Sequence, residues 1–169
     1  MKALSLWNPW ATLLVCGAKR VETRSWPIKH RGPLLIHAAK LWRPGFRQLC
    51  RTEPYRSALR AAGYVETGNR NWNLPFGAII GLIHVRECVP VEKVDVHPVP
   101  GTSSWVAHFA PNPVGVTIST TEEAFGDYSD GRYAFLTEKA VRFVKPIPYP
   151  GRQTLFDVPD GLLQEALAA

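Results

Sequence analysis

The sequence predicts a mainly β fold with peripheral helices, an α+β chain whose strands form a small β-barrel. Three observations carry that expectation. Short β-branched or alternating runs recur along the chain, with Pro- and Gly-rich turns between them. Helical segments are few and short. The 169 residues contain no internal repeat, low-complexity tract or linker, so residues 1–169 read as one domain. Many short strands decorated by few helices are packed most simply as a barrel.

Each element has a local reason. Lys2 to Leu6 reads as a short strand. Asn8 suits an N-cap, Pro9 a first helical position and Gly17 a C-terminal stop, which brackets a short apolar helix from Trp10 to Cys16. Arg20 to Trp26 alternates, so Glu22, Arg24 and Trp26 share one strand face, and Val21, Thr23 and Ser25 the other. Lys19 lies in the turn before it, and the alternation does not fix its direction. Residues 27–32 form a basic loop, and 33–39 a buried strand. Phe46 to Gly63 is helical in character, divided by Pro54. Arg43, Arg47, Arg51, Arg56 and Arg60 recur four or five residues apart. This comb could follow a phosphate backbone or stand as a solvated helix face. Gly77 to Val89 is a long β-branched strand. Residues 95–119 hold four prolines and read as a long loop or hairpin excursion, with protein interaction as one use for it. Residues 125–136 are a turn feeding a strand, 141–147 continue as sheet, three prolines bend the chain before 154–157, and Asp160 caps a final helix.

Charge is distributed unevenly. Residues 1–60 carry 12 Lys/Arg and 2 acids, a net +10, while residues 61–169 carry 8 and 12, a net −4; the whole chain is +6. A basic N-terminal third suits a polyanion such as RNA or other single-stranded nucleic acid. The 3 cysteines are widely spaced and form no C-x-x-C pair, which predicts a reduced, cytoplasmic setting. No apolar run is long enough to cross a membrane, and Asn8 and Pro9 cut short the one apolar stretch that could begin a signal peptide. The histidines show no ligand spacing, so no metal is expected. His37 and His84, inside apolar strands, read as hydrogen-bonded core histidines. No Gly-rich phosphate loop, dinucleotide fingerprint or serine elbow occurs, and no cofactor is expected.

The candidate site gathers in the first 26 residues. Lys19, Arg20 and Arg24 stand in sequence beside Trp7 and Trp26, cations for phosphates and indoles for bases. Trp7 and Trp10 flank a helix start with Asn8 as its cap, and the amides there favour an anion. Among these cations sits one acid, Glu22. It can pair structurally with Lys19 or Arg24. It can also act as a general base, with Lys19 as its electrostatic partner.

Several segments, in order, resemble one family. Gly17-Ala-Lys-Arg-Val-Glu-Thr-Arg24 is similar to the G-x-K-x-x-E-x-R signature of ASCH domains, a family related to the PUA fold. Residues 5–10, 36–38, 75–81, 131–135 and 146–153 also resemble that family. The resemblance implies a PUA-like β-barrel, a cleft carrying the signature, and binding of RNA or a modified nucleotide. It adds Arg132 and Tyr133, in the 131–135 segment, to the nucleic-acid-binding set of Trp7, Asn8, Lys19, Arg20, Arg24 and Trp26. Some relatives hydrolyse N4-acetylcytidine, and others are credited with ribonuclease activity, which would make Lys19 and Glu22 catalytic. The amidohydrolases have a threonine nucleophile where this chain has Glu22, so the same covalent mechanism does not transfer.

Overall fold

Strands β1 (Lys2–Leu6), β2 (Val21–Arg24) and β3 (Gly32–Ala38) are separated by one short helix, α1 (Trp10–Val15), and by the basic loop. Two further helices follow, α2 (Pro44–Leu49) and α3 (Tyr55–Ala61), then the short strands β4 (Glu66–Thr67) and β5 (Asn71–Trp72). The long strand β6 (Ala78–Pro90) leads to β7 (Val96–Pro98), β8 (Ser104–Ala107) and β9 (Val116–Ser119), then α4 (Thr120–Ala124), the 16-residue β10 (Tyr133–Pro148) and β11 (Leu155–Asp157). The computed structural model describes residues 1–68, 71–91, 96–98, 104–107 and 116–162. The chain is mainly β with short helices, as its sequence implies.

The chain divides into two compact units. The first holds residues Met1–Ala18, Pro33–His84 and Lys139–Ala169; the second holds Lys19–Gly32 and Val85–Glu138. In the first, β11, β1, β3 and β6 lie side by side in that order. β1 runs parallel to β3, with Ser5 opposite His37, and antiparallel to β11. Its core joins Ala3, Leu35, Ile79, Ile147, Phe156 and Val158. In the second unit β6, β10 and β2 are neighbours, and Val21, Val89, Val91, Ile118, Tyr128, Ala134 and Leu136 form the core. A separate antiparallel sheet runs β7, β8, β9. The hairpin half of the expectation for 95–119 therefore holds for its described strands; the rest of that segment, including most of its prolines, lies outside the described residues. The final helix begins at Asp160, and the residues past 162 also lie outside the described ones.

Two local readings are corrected. Pro9, rather than Asn8, holds the position flanking α1. Asn8 still closes that helix from one residue further back: its side-chain oxygen accepts from the Thr12 amide at 3.3 Å and the Thr12 hydroxyl at 2.8 Å. The helical stretch divides into α2 and α3 as expected, with Pro54 flanking the start of α3. The arginine comb therefore does not lie along one continuous helix. Arg51 pairs with Glu66 and Arg56 with Glu53, each at 2.8 Å. The sheet segments expected around 133–136 and 141–147 are one strand, β10, which turns through a left-handed residue at Lys139 (φ 49°).

His37 is a core histidine. Its Nε2 lies 2.9 Å from the Tyr149 carbonyl, which only accepts, so Nε2 carries the proton. Nδ1 is then the acceptor for the Ser5 hydroxyl at 3.0 Å. Burial lowers the His37 pKa, opposed by the bond to Tyr149. Gly151 packs so closely over this pair that an added Cβ would sit 2.5 Å from the imidazole and 2.8 Å from Ser5 Oγ. Burial also raises the pKa of each of the free thiols Cys16, Cys50 and Cys88, Cys50 to about 12. An activated cysteine nucleophile needs the opposite shift.

Candidate nucleic-acid interface

β2 pairs antiparallel with β10, placing Glu22 opposite Phe135 and Arg24 opposite Tyr133. Residues directly opposite share a sheet face. Glu22, Arg24, Phe135 and Tyr133 thus project to one side. Val21, Thr23, Ala134 and Leu136 project to the other, where all but Thr23 join the second unit's core.

The first side carries the charge. The Lys19 ammonium is almost fully buried and lies 3.8 Å from Glu22 Oε2. Arg24 Nε lies 3.7 Å from the other oxygen, Oε1. Glu22, itself buried, is therefore flanked by a cation at each oxygen. Lys19 also donates to the Val21 carbonyl. Burial pushes the Lys19 pKa below its ordinary value, against the attraction of Glu22 and Glu122. The Arg24 guanidinium stands 5.7 Å from the centre of the Trp26 ring. Trp26 meets the buried Phe135 edge to face at 5.6 Å. Arg24, Trp26, Arg132 and Tyr133 are half-buried, and the Arg20 side chain is exposed. Arg132 Nη2 donates to the Thr23 carbonyl at 3.0 Å, and Nη1 pairs with Asp127 at 3.2 Å.

Glu122, missing from the sequence-based site, fixes where this face begins. Its two carboxylate oxygens accept from the Arg20 amide at 2.8 Å and the Val21 amide at 3.0 Å. Its own amide donates to Ser119 Oγ at 3.0 Å, capping α4. Ser119-x-x-Glu122 has the spacing of a capping box, which was the one local signal for it. Here, however, the glutamate side chain binds β2, a hundred residues earlier in the chain. The Tyr128 hydroxyl lies at 3.5 Å from Glu122, and burial together with Glu122 and Glu22 raises its pKa.

The second unit thus brings together Lys19, Arg20, Glu22, Arg24, Trp26, Arg132 and Tyr133 from the sequence-based set. Trp7 and Asn8 belong to the first unit. Asn8 is fully buried there, donating to the Pro75 carbonyl at 2.6 Å while accepting from Thr12. It presents no atom to a ligand in this conformation. Trp7 is exposed. Among the described residues no group of three His, Cys, Asp or Glu side chains could hold a metal. No helix among them is long and apolar enough to cross a membrane.

Comparison with known proteins places these observations. The family model for the ASCH domain matches residues 4–133. Activating signal cointegrator 1 of Mus musculus is 40% identical over 86 residues, covering 51% of this chain and 14% of that protein. Its Homo sapiens counterpart is 38% identical over 86 residues, with the same coverage. The chain therefore spans a small part of the length of these relatives. Among solved structures, ASCH from Zymomonas mobilis is 14% identical with a TM-score of 0.49, covering 99% of this chain and 93% of that one. A point mutant of the same Zymomonas mobilis protein is 15% identical with a TM-score of 0.48, covering 99% and 94%. The family match takes in both β2 with its Lys19–Glu22–Arg24 constellation and the Arg132–Tyr133 pair opposite it, and it extends over more than half of the sequence: the chain belongs to the ASCH domain family.

Proposed function

We propose that the charged face of β2 binds nucleic acid, as RNA or a modified nucleotide. The observation that carries this reading is the Arg24–Trp26 pair, a guanidinium over an indole at 5.7 Å, backed by the buried Glu22. A cation for phosphate and a ring for a base are then offered side by side. Arg20 and Arg132 add positive charge at the same strand pair, and Tyr133 adds a second ring. Lys19 and Glu22 act from beneath. Their ion pair holds the carboxylate against Arg24 Nε and so fixes the guanidinium's position.

One observation favours a second reading, hydrolysis of RNA or of an N4-acylated cytidine. Burial depresses the Lys19 pKa beside a carboxylate, a combination that occurs in acid–base catalysis. Against it, Glu22 is buried with a cation beside each oxygen, the arrangement of a structural ion pair.

The variant Glu22→Gln separates the two. It keeps the side-chain shape and cannot take up a proton as a base. The expected result is binding of single-stranded RNA by the wild type, no robust hydrolysis of N4-acetylcytidine or RNA, and an altered affinity in the variant. Robust wild-type hydrolysis that falls ~100-fold in Glu22→Gln would establish the hydrolase instead. Melting temperature, measured alongside, identifies any part of the effect that is loss of fold.

A further inference from the structure

The first unit carries a second cation–aromatic surface, with no part in the β2 face. Trp7, at the end of β1, is 44% exposed. The Arg43 guanidinium stands 5.1 Å from the centre of its ring. Phe46 lies 5.2 Å away at a tilt. From Phe46 the rings continue to Trp42 at 6.5 Å and from Trp42 to Phe76 at 5.1 Å. Trp42, Phe46 and Phe76 are each half-buried, so the series is open to solvent along its length. It is also held firmly from below. Trp10 meets Phe46 edge to face at 5.2 Å and the buried Tyr55 at 6.4 Å.

A core would bury these rings, and a purely apolar contact would not surround them with charge. Residues 33–52 contain no acid, and besides Arg51, which pairs with Glu66, they contain Lys40, Arg43 and Arg47. Lys40 is held close to the rings. Its stem lies across Gly77, next in chain to Phe76, so closely that a Cβ there would meet Lys40 Cε at 2.7 Å. Gly77 has φ +64° and no side chain, and both let the lysine stem pass. Arg43 and Lys40 are exposed. Successive rings 5.1 to 6.5 Å apart, with cations beside them and no carboxylate in the segment, match unpaired bases joined by phosphates. A duplex keeps its bases stacked inside and can offer only its phosphates.

We propose that this surface is a binding site for single-stranded nucleic acid, with Trp7 and Trp42 stacking unpaired bases and Lys40 and Arg43 meeting the adjoining phosphates. It stands independently of the reading given to β2. Stacking contributes about tenfold or more in affinity per base, and each phosphate contact adds close to one to the salt slope.

The test uses the whole chain and fluorescein-labelled 12-nucleotide oligouridylate, with a duplex of equal length as control. Trp7→Ala and Trp42→Ala are each expected to weaken single-strand binding about tenfold and leave duplex binding unchanged. Arg43→Ala removes an exposed cation, keeps the indole, and should lower the salt slope by about one. Unchanged duplex binding in Trp7→Ala distinguishes loss of stacking from loss of fold, which would remove both, and Trp7→Phe should restore part of the single-strand affinity. Unchanged single-strand affinity in Trp7→Ala and Arg43→Ala overturns the proposal, even where Arg24→Ala weakens binding and the β2 reading stands. The reverse pattern keeps this site and removes that reading. Loss of binding to vesicles of anionic phospholipid in Trp7→Ala, with oligouridylate binding intact, would make the surface a membrane contact and also overturn the proposal.

Discussion

Replacing Glu22 with leucine is expected to cost about 3–5 kcal/mol of stability, the range seen when one partner of a buried ion pair is removed. The loss comes from Lys19. Its ammonium is almost fully buried, and burial already pushes its pKa down against the pull of Glu22. Without that carboxylate the charge is left with the Val21 carbonyl and the more distant Glu122. The double variant Lys19→Met/Glu22→Leu should then recover most of the loss, because two apolar side chains of similar volume remove both desolvation costs together. Arg24, left without Glu22, is partly exposed and can be hydrated. The pH dependence has a definite sign. The folded Lys19 pKa lies below its ordinary 10.5, so in the window between the two the unfolded chain binds a proton that the folded chain has shed. Stability attributable to Lys19 therefore rises with pH through that window, and this rise should vanish in Lys19→Met. Urea midpoints at unchanged m-value provide the measurement. Additive costs in the double variant would mean that the two groups do not depend on each other.

Glu122→Ala is expected to destabilise the protein by about 3 kcal/mol, the sum of two charge-assisted hydrogen bonds at roughly 1.5 kcal/mol each. Both acceptors of the Arg20 and Val21 amides disappear at once, and Val21 is buried, so water replaces them poorly. Glu122→Gln keeps one carbonyl acceptor and should lose about half as much. Amide hydrogen exchange would locate the damage: protection should fall at Arg20 and Val21 before it falls in β1 or β3. Equal loss of protection across all strands would contradict a local anchoring role.

These two carboxylates show what could and could not be read from the sequence. Glu22 was legible because alternation over 20–26 is a local rule, and in β2 it places Glu22 and Arg24 opposite Val21 and Thr23 as expected. Lys19 was half legible: its residue type was telling, but a turn has no period to give a direction. Glu122 announced a helix cap through Ser119-x-x-Glu122, yet its carboxylate is used by a strand a hundred residues away, and no local pattern encodes that contact. The pairing of β2 with β10, which brings Phe135 beside Glu22, is likewise a matter of tertiary register. The arginine series could not be given a single face for a related reason. Spacing by four or five defines one face only on an unbroken helix, and the chain breaks between α2 and α3. Residues 77–89 were read within one residue at each end because a long β-branched run has few other ways to fold.

Binding of single-stranded RNA as a function of salt tests the central claim most directly. For the wild type, the logarithm of affinity should fall steeply and linearly with the logarithm of salt concentration, tenfold or more between low and moderate salt if several cations meet phosphate. Arg24→Ala should weaken binding and lower the slope by about one, at a melting temperature close to that of the wild type because its guanidinium is partly exposed. A flat salt response, or an Arg24→Ala protein that binds RNA as the wild type does with an unchanged slope, would contradict the assignment of the β2 face as a nucleic-acid interface.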